Sequence, residues 1–389
     1  MAKMRIGFYS TMTGLPWGGS EELWSRAATT LLKQGHQVCV NYKRRKQRVE
    51  RLEELKSQGA EIYFRGGLRV GRNVRKALQS IYIGRHPGLR WIKTARPDFV
   101  LLSLGFHTDE TLITQTLREQ RVPYAILVQA ASPYHWIEKN RIAEERAAYA
   151  GAARSFFVSK QNQSIVETNL ALDLADAEIV DNPFQVRLDA APTWPSCDKS
   201  WKLACVARVQ FQAKAHDLLI RVMRQPKWRS RPVEIHCWGS DGGSLRHAEE
   251  LISLYGQQKQ IFFHGFTQNV DAIWRDHHAL VLPSRFEGNP LAMTEAMLCG
   301  RVPIVTNVGR AAELVDDNES GFIAQAATFE LLDDAMERAW QRRHEWQAMG
   351  VRAAQTIRQR HSLQPAEDFA MSLLNAATGQ RQARSRAAA

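Results

Sequence analysis

The sequence predicts an α/β protein of two doubly wound units in tandem, each a parallel sheet with helices on both faces. Short apolar runs alternate with longer stretches of helical periodicity along most of the chain. That alternation restarts at Leu203, after a proline-bearing stretch from Arg187 to Ser200 that reads as a linker. At 389 residues the chain is too long for one ordinary core and fits two. The expected division is 1–185 for the first unit, 186–200 for the linker and 201–362 for the second unit. A closing helix over 363–378 and a basic flexible tail over 379–389 complete it.

In the first unit, Met4 to Tyr9 reads as a buried strand, followed by a loop to Gly19 and a helix from about Ser20 to Lys33. Leu23, Ala27 and Leu31 repeat there at helical spacing. Gly35 stops the helix, and Gln37 to Tyr42 is the next strand. Gly18 and Gly19, after the first strand, let the backbone approach a ligand closely and leave N–H groups free. A helix over about Arg48 to Gln58 and a strand over Glu61 to Phe64 follow. Helical patterns then continue to Ala95. Phe99 to Leu104, Tyr124 to Val128 and Phe156 to Val158 are strands, and helices are expected up to Glu119 and over Trp136 to Tyr149.

In the second unit, Leu203 to Ala207 is the first strand, with Arg208 at its end, and Ala213 to about Met223 is a helix carrying Lys214. Val233 to Trp238, Ile261 to His264 and Ala279 to Leu282 are later strands. Helical patterns cover Phe329 to Arg360 and Pro365 to Ala377. This alternation is that of parallel sheets covered on both faces.

Composition narrows the function. Hydrophobic residues make up 44% and charged residues 24%, ordinary for a globular protein. Five cysteines are scattered with no C-x-x-C pair and no local His/Cys cluster, which predicts reduced thiols and no zinc site. The amino terminus lacks the pattern of a signal peptide, and no apolar run is long enough to span a bilayer. The expectation is a cytoplasmic protein, with a peripheral place on the inner face of the membrane as an option.

Net charge is +12, and 41–96 alone holds sixteen Lys/Arg against four Glu. That basic segment, from Lys43 to Arg96, includes Arg72, Arg75, Lys76 and Arg85, with Tyr82 and Trp91 interleaved. It predicts either a solvated face or an anionic partner, an acidic lipid surface or charged acceptor. No nucleic-acid-binding signature accompanies it, so no nucleic acid is expected.

The most informative stretch is Val281 to Ala324. A short strand leads into a polar loop carrying Glu287 and Gly288, a helix opens near Pro290, and a second strand runs from Val302 to Thr306. Pro290 suits a first helical turn, and Gly300 a left-handed C-terminus. The backbone N–H groups of Asn289 and Leu291 sit at a helix head, where phosphate oxygens bind. Glu287 and Glu295 lie beside that anion site. Carboxylates there make sense if they grip sugar and ribose hydroxyls.

E-G-x-P-L-x-x-x-E-A-M-x-x-G-x-x-P-I-V from Glu287 to Val305 resembles the donor-site signature of retaining GT-B glycosyltransferases, most closely glycosyltransferase family four. V-G-x-x-x-E-L-V at Val308 to Val315 and S-G-F-I at Ser320 to Ile323 extend the resemblance. So do G-G-x-E (Gly18, Gly19, Glu21) and Asn182-Pro183 near the linker. The resemblance implies a GT-B fold of two Rossmann-like domains facing across a cleft, with the last helix crossing back to the first. It implies a nucleoside-diphosphate sugar as co-substrate, a glycan or lipid-linked acceptor, no further cofactor and no metal.

By the same resemblance, Arg208 and Lys214 neutralise the donor diphosphate, Glu287 binds the sugar and Glu295 holds the ribose. Gly239, Gly265, Phe266 and Thr267 flank the base, and Gly288 to Leu291 supply amides. Ala215 stands where the family usually has glycine. Members commonly carry a histidine after a mid-domain strand. Here Gln129-Ala130-Ala131 follows Val128, leaving His135 and His107 as candidates. A catalytically silent GT-B scaffold and a GT-B phosphorylase remain the alternatives, although a phosphorylase has little use for Glu295.

Overall fold

The structure, a computed structural model, describes residues 3–12, 16–66, 88–197 and 199–388, the last few (381–388) by backbone alone. Arg72, Arg75, Lys76, Tyr82 and Arg85 of the basic segment lie outside the described residues. The chain divides into one unit of Met1–Pro183 with Gln364–Ala389 and another of Phe184–Leu363.

The first unit holds a seven-stranded sheet in the order β3-β2-β1-β4-β5-β6-β7. Its strands are β1 Arg5–Ser10, β2 Gln37–Lys43, β3 Glu61–Arg65, β4 Phe99–Leu104, β5 Tyr124–Val128, β6 Arg154–Phe157 and β7 Glu178–Ile179. Every pairing is parallel, for example Ile6 opposite both Val38 and Phe99. The central strands are buried on both faces, which is why they read as continuous apolar runs rather than alternating ones. One face packs Phe8, Leu101 and Leu127 against Leu23, Trp24 and Ala27 of the helix Gly19–Lys33. The same cluster takes in Phe369, Leu373 and Ala377 of the last helix, so the chain ends in the unit where it began.

The second unit holds a six-stranded parallel sheet in the order β10-β9-β8-β11-β12-β13. Its strands are β8 Trp201–Val206, β9 Val233–Trp238, β10 Ile261–Gly265, β11 Ala279–Leu282, β12 Val302–Thr306 and β13 Phe322–Ala324. Strand order reverses between β8 and β11, and in such sheets ligands sit at the carboxyl ends of the strands at that switch.

The sequence reading does not name β7, β13 or the helices Lys160–Leu170, Leu245–Tyr255 and Val270–Asp276, and four elements that it does name take a different course. The helix expected over Trp136 to Tyr149 is only Ile142–Ala150. Ile137 is buried and its N–H donates to Asn169 Oδ1 at 3.1 Å, which commits that residue to the loop. The helix expected over Ala213 to Met223 is two helices, Phe211–Lys214 and His216–Met223, broken where Ala215 takes a left-handed φ of 52°. Pro290 is not in the first turn of its helix: it caps Leu291–Leu298 in an extended conformation. The last helix runs Pro365–Ala388 and does not stop at Gly379. One interior glycine costs only about 1 kcal/mol, and the Ala, Arg and Gln around it favour helix.

The basic segment is not simply a solvated face. Trp91 is buried against Tyr9. Arg45 donates to the Met12 carbonyl at 2.7 Å, and Arg65 donates to Asn41 and to the Ser10 carbonyl while lying over the Tyr9 ring. Among the described residues, Arg44, Lys46, Arg48, Arg90, Lys93 and Arg96 are the exposed cations between Lys43 and Arg96 besides Lys56. No helix among the described residues is long and apolar enough to cross a membrane.

The helix Trp346–Arg360 crosses the end of Leu291–Leu298 with Gly350 on Gly300. A Cβ on Gly350 would stand 1.9 Å from the Gly300 carbonyl oxygen. Gly350→Ala is therefore expected to destabilise the protein by about 1–3 kcal/mol, the range for overpacking. Urea unfolding measures it, and an unchanged midpoint would show that the two helices part without cost.

Candidate functional site

The switch between β8 and β11 brings the sequence-predicted residues of the second unit together. Arg208 stands two residues past β8, half-buried. Lys214 closes the short helix that follows, and the loop after β11 carries Glu287. Lys214 Nζ donates to Glu287 Oε1 at 2.6 Å, and Ser284 Oγ donates to the same oxygen at 2.8 Å. Both charged side chains are largely buried, 19% and 10% exposed, so each depends on the other for charge compensation.

A second pair, invisible in the sequence, fixes the spacing of the two loops. Arg285 grips Asp217 with both terminal nitrogens, at 2.8 and 2.7 Å, and also donates to the Phe211 carbonyl. The Arg285 N–H donates to Ala213 O at 2.8 Å. Residues before and after Lys214 are thereby tied to residues beside Glu287. Sixty-eight positions separate Arg285 from Asp217, and no local pattern announces the pair.

The Glu287–Gly288 turn is held from its other side. The Arg310 N–H donates to Gly288 O at 3.1 Å. Gly309 adopts φ +60°, and a Cβ there would fall 2.1 Å from that same carbonyl oxygen, so only glycine fits. Beyond Pro290, the N–H groups of Leu291 and Ala292 head the helix, ahead of the first bond, from Met293 N to Pro290 O. Asn289 offers its backbone alone: its side chain is buried, with Nδ2 3.3 Å from His361 Nε2. Glu295 is 4% exposed, and its Oε1 accepts the Gln185 N–H at 3.0 Å.

Gly239, Gly265 and Phe266 lie at the ends of β9 and β10. Gly239 N–H donates to Gly265 O at 2.8 Å, and a Cβ on Gly239 would stand 2.2 Å from Ala207 O, just before Arg208. Phe266 is exposed, while the Thr267 hydroxyl accepts the Asn269 N–H and serves the turn into the next helix.

Gly18, Gly19 and His135 belong to the first unit. Gly18 caps the helix that begins at Gly19. Glu21, in that helix's first turn, is fully buried, and burial pushes its carboxyl up to about 7. His135 is exposed on the loop after β5, its Nδ1 3.1 Å from Ser132 Oγ. His107 is buried and donates Nε2–H to the His135 carbonyl at 2.9 Å, and burial pushes it down to about 4. A ring held neutral and spent on a backbone carbonyl is a packing group.

The scattered spacing of the cysteines gave no sign of a cluster formed by the fold: Cys205, His216 and Cys237 gather in the core with their ligand atoms within 4.8 Å of one another. Strand register sets Cys205 opposite Cys237, and the turn at Ala215 folds His216 back over them.

This architecture, two α/β units with parallel sheets of seven and six strands, is the GT-B glycosyltransferase fold. Residues 201–342 match the family model described as Glycosyl transferases group 1, which covers the site in the second unit. Anabaena HepE, solved with UDP and glucose, superposes with a TM-score of 0.75 at 16% identity, over 96% of this chain and 99% of that one. TarM of S. aureus, solved as a variant with Fondaparinux, alpha-GlcNAc-glycerol and UDP, gives 0.70 at 11% identity, over 97% and 99%. A curated relative, the poly(ribitol-phosphate) alpha-N-acetylglucosaminyltransferase of Staphylococcus aureus (strain COL), is 25% identical over 173 residues. The match takes 43% of this chain and spans about a third of that protein's length.

His361 links this site to pH. Its Nδ1–H donates to Ser362 O at 2.8 Å, leaving Nε2 to accept from Asn289. Burial pushes it down to about 4, as it does His107, His277 and His278. With folded values below the ordinary histidine value, the unfolded chain takes protons first. The stability these rings contribute is complete above about pH 6.5 and is lost as pH falls toward 4. The urea midpoint should therefore drop between pH 7 and 4.5, and His361→Gln should make that drop shallower. An equal drop in the variant would remove His361 from the account.

Proposed function

We propose that the second unit binds a nucleoside-diphosphate sugar and that the protein is a retaining glycosyltransferase passing the sugar to an acceptor hydroxyl. The observation that carries this reading is the Lys214–Glu287 pair, held at 2.6 Å beside the head of the Leu291–Leu298 helix. A cation, a helix head and a carboxylate side by side suit a ligand that is anionic at one end and rich in hydroxyls at the other.

In this reading the diphosphate lies between Arg208, Lys214 and the Leu291 amide, which stabilise the charge that grows as the sugar–oxygen bond breaks. Glu287 accepts from sugar hydroxyls and Glu295 from the ribose. Gly288, Asn289 and Pro290 shape the loop, and Gly239 and Phe266 border the base. Gly18 and Gly19, at the head of the first unit's opening helix, leave room for a ligand's close approach. The bond from the anomeric carbon to the acceptor oxygen forms on the face the diphosphate leaves, and the acceptor proton passes to the departing phosphate oxygen. Neither His135 nor any other base is required for that route.

UDP is the first nucleotide to try, because HepE and TarM were both solved with it. An anionic acceptor, a polyol-phosphate polymer or a lipid-linked glycan reached at the cytoplasmic face of the membrane, agrees with the net charge of +12. It also agrees with the acceptor in the curated relative's name. The silent-scaffold alternative is favoured by one observation, that Gln129 rather than a histidine directly follows β5, and is separated from transfer by turnover.

A ligand of the native state raises apparent stability, by about 2.7 kcal/mol at a hundred times its Kd. UDP or a UDP-sugar is expected to raise the melting temperature of the wild type, and Lys214→Ala and Glu295→Ala to abolish the shift. No shift with any nucleotide would leave the scaffold reading standing. Transfer should also proceed without Mg²⁺ or Mn²⁺, since Arg208, Lys214 and the helix head supply the positive charge. Strong EDTA inhibition reversed by either of those ions would overturn that assignment.

A further inference from the structure

The Cys205, His216 and Cys237 cluster lies outside the chemistry proposed above, in the core of the second unit. Cys205 and Cys237 face each other across adjacent parallel strands, and all three residues are no more than 2% exposed. Cys205 Sγ stands 3.7 Å from His216 Nε2, and the three ligand atoms lie within 4.8 Å of one another. Metal–sulfur and metal–nitrogen bonds of about 2.3 and 2.0–2.1 Å around one ion require S···N edges of about 3.7 Å and S···S edges of about 4 Å. The Cys205–His216 edge already has the first length, and movements of about 1 Å bring the edges to Cys237, now within 4.8 Å, to the lengths an ion needs.

A second observation concerns the ring. His216 Nδ1 is buried and has no hydrogen-bond partner among the described groups. Nε2 turns to sulfur, and the neutral tautomer that leaves Nε2 bare for a metal places its proton on the unpartnered Nδ1. Soft thiolates with one imidazole select thiophilic d¹⁰ ions. Charge decides among them. Two thiolates with a divalent cation make a neutral complex, which an apolar core tolerates, whereas a monovalent ion would leave a buried negative charge.

We propose that Cys205, His216 and Cys237 form a zinc site that joins β8, β9 and the first residue of the His216–Met223 helix. His216 follows Lys214 by two positions, so the ion would also hold the turn at Ala215 from which Lys214 projects. All three ligands are buried, so no position is open to water and the ion would serve as a cross-link, held by one protein ligand fewer than the four usual for structural zinc. The site does not depend on the transferase reading.

The test is metal content. Protein purified under reducing conditions from zinc-supplemented culture is expected to carry stoichiometric zinc by mass spectrometry. Replacement by Co²⁺ should show thiolate-to-metal charge-transfer absorption. Cys205→Ala and Cys237→Ala should each reduce zinc to background, and His216→Asn should weaken retention at least tenfold against a chelator. Cys197→Ala, at an exposed sulfur, should change nothing. Circular dichroism identifies any variant that fails to fold, and the Co²⁺ spectrum of the wild type stands without variants. Wild type that holds no zinc, as purified or refolded with excess Zn²⁺ and thiol, overturns the proposal. So does zinc that persists in the Cys205→Ala/Cys237→Ala double variant, and so does occupancy by Cu⁺ with none by Zn²⁺.

Discussion

The candidate site depends on the clamp between Arg285 and Asp217. Lys214 closes a short helix and Glu287 lies on a loop seventy-three residues later, and a mostly buried ammonium and carboxylate hold together only if the backbone keeps them in register. The planar guanidinium supplies that register by bonding a carboxylate with two nitrogens and a carbonyl with a third contact, a geometry lysine could not reproduce. The binding pair meets through a single contact of 2.6 Å. The pair that positions it is bidentate and directional.

Close backbone approaches do the rest. Gly239 meets Ala207, Gly309 meets Gly288, and Gly350 meets Gly300, in each case at a distance that leaves no room for a methyl group. The first two contacts brace segments at the carboxyl ends of the strands beside the switch between β8 and β11, and the third braces the far end of the Leu291–Leu298 helix. Rigidity there is consistent with a site that must present charge without rearranging. Ala215 is the counter-example. It holds a left-handed conformation with a side chain, at the turn where Lys214 leaves its helix. A zinc ion on His216 would give that strained turn a covalent anchor.

In the first unit, charge serves architecture more than its abundance implied. Arg45 and Arg65 close the ends of β1 and β2 by donating to carbonyls. Glu21, buried in the first turn of its helix and pushed up to about 7, shares that region. A run of basic residues looks alike in the sequence whether its members face water or bond the backbone, because both uses require the same side chain.

The sequence by itself determined most of the alternation of strands and helices, the two parallel sheets and the strand–loop–helix carrying Glu287 and Glu295. These are local properties, set by apolar periodicity and by glycine and proline at turns. Gly300 is an example: its φ of +67° and the bonds from Gly300 N and Arg301 N back into the helix follow from its position alone. Only the tertiary structure decided that Pro290 caps rather than enters its helix, that Ala215 breaks one helix into two, and that Arg285 finds Asp217. It alone brought Cys205, His216 and Cys237 into one cluster. Register between strands and the path of a turn bring distant residues within bonding distance, and neither leaves a periodic trace along the chain.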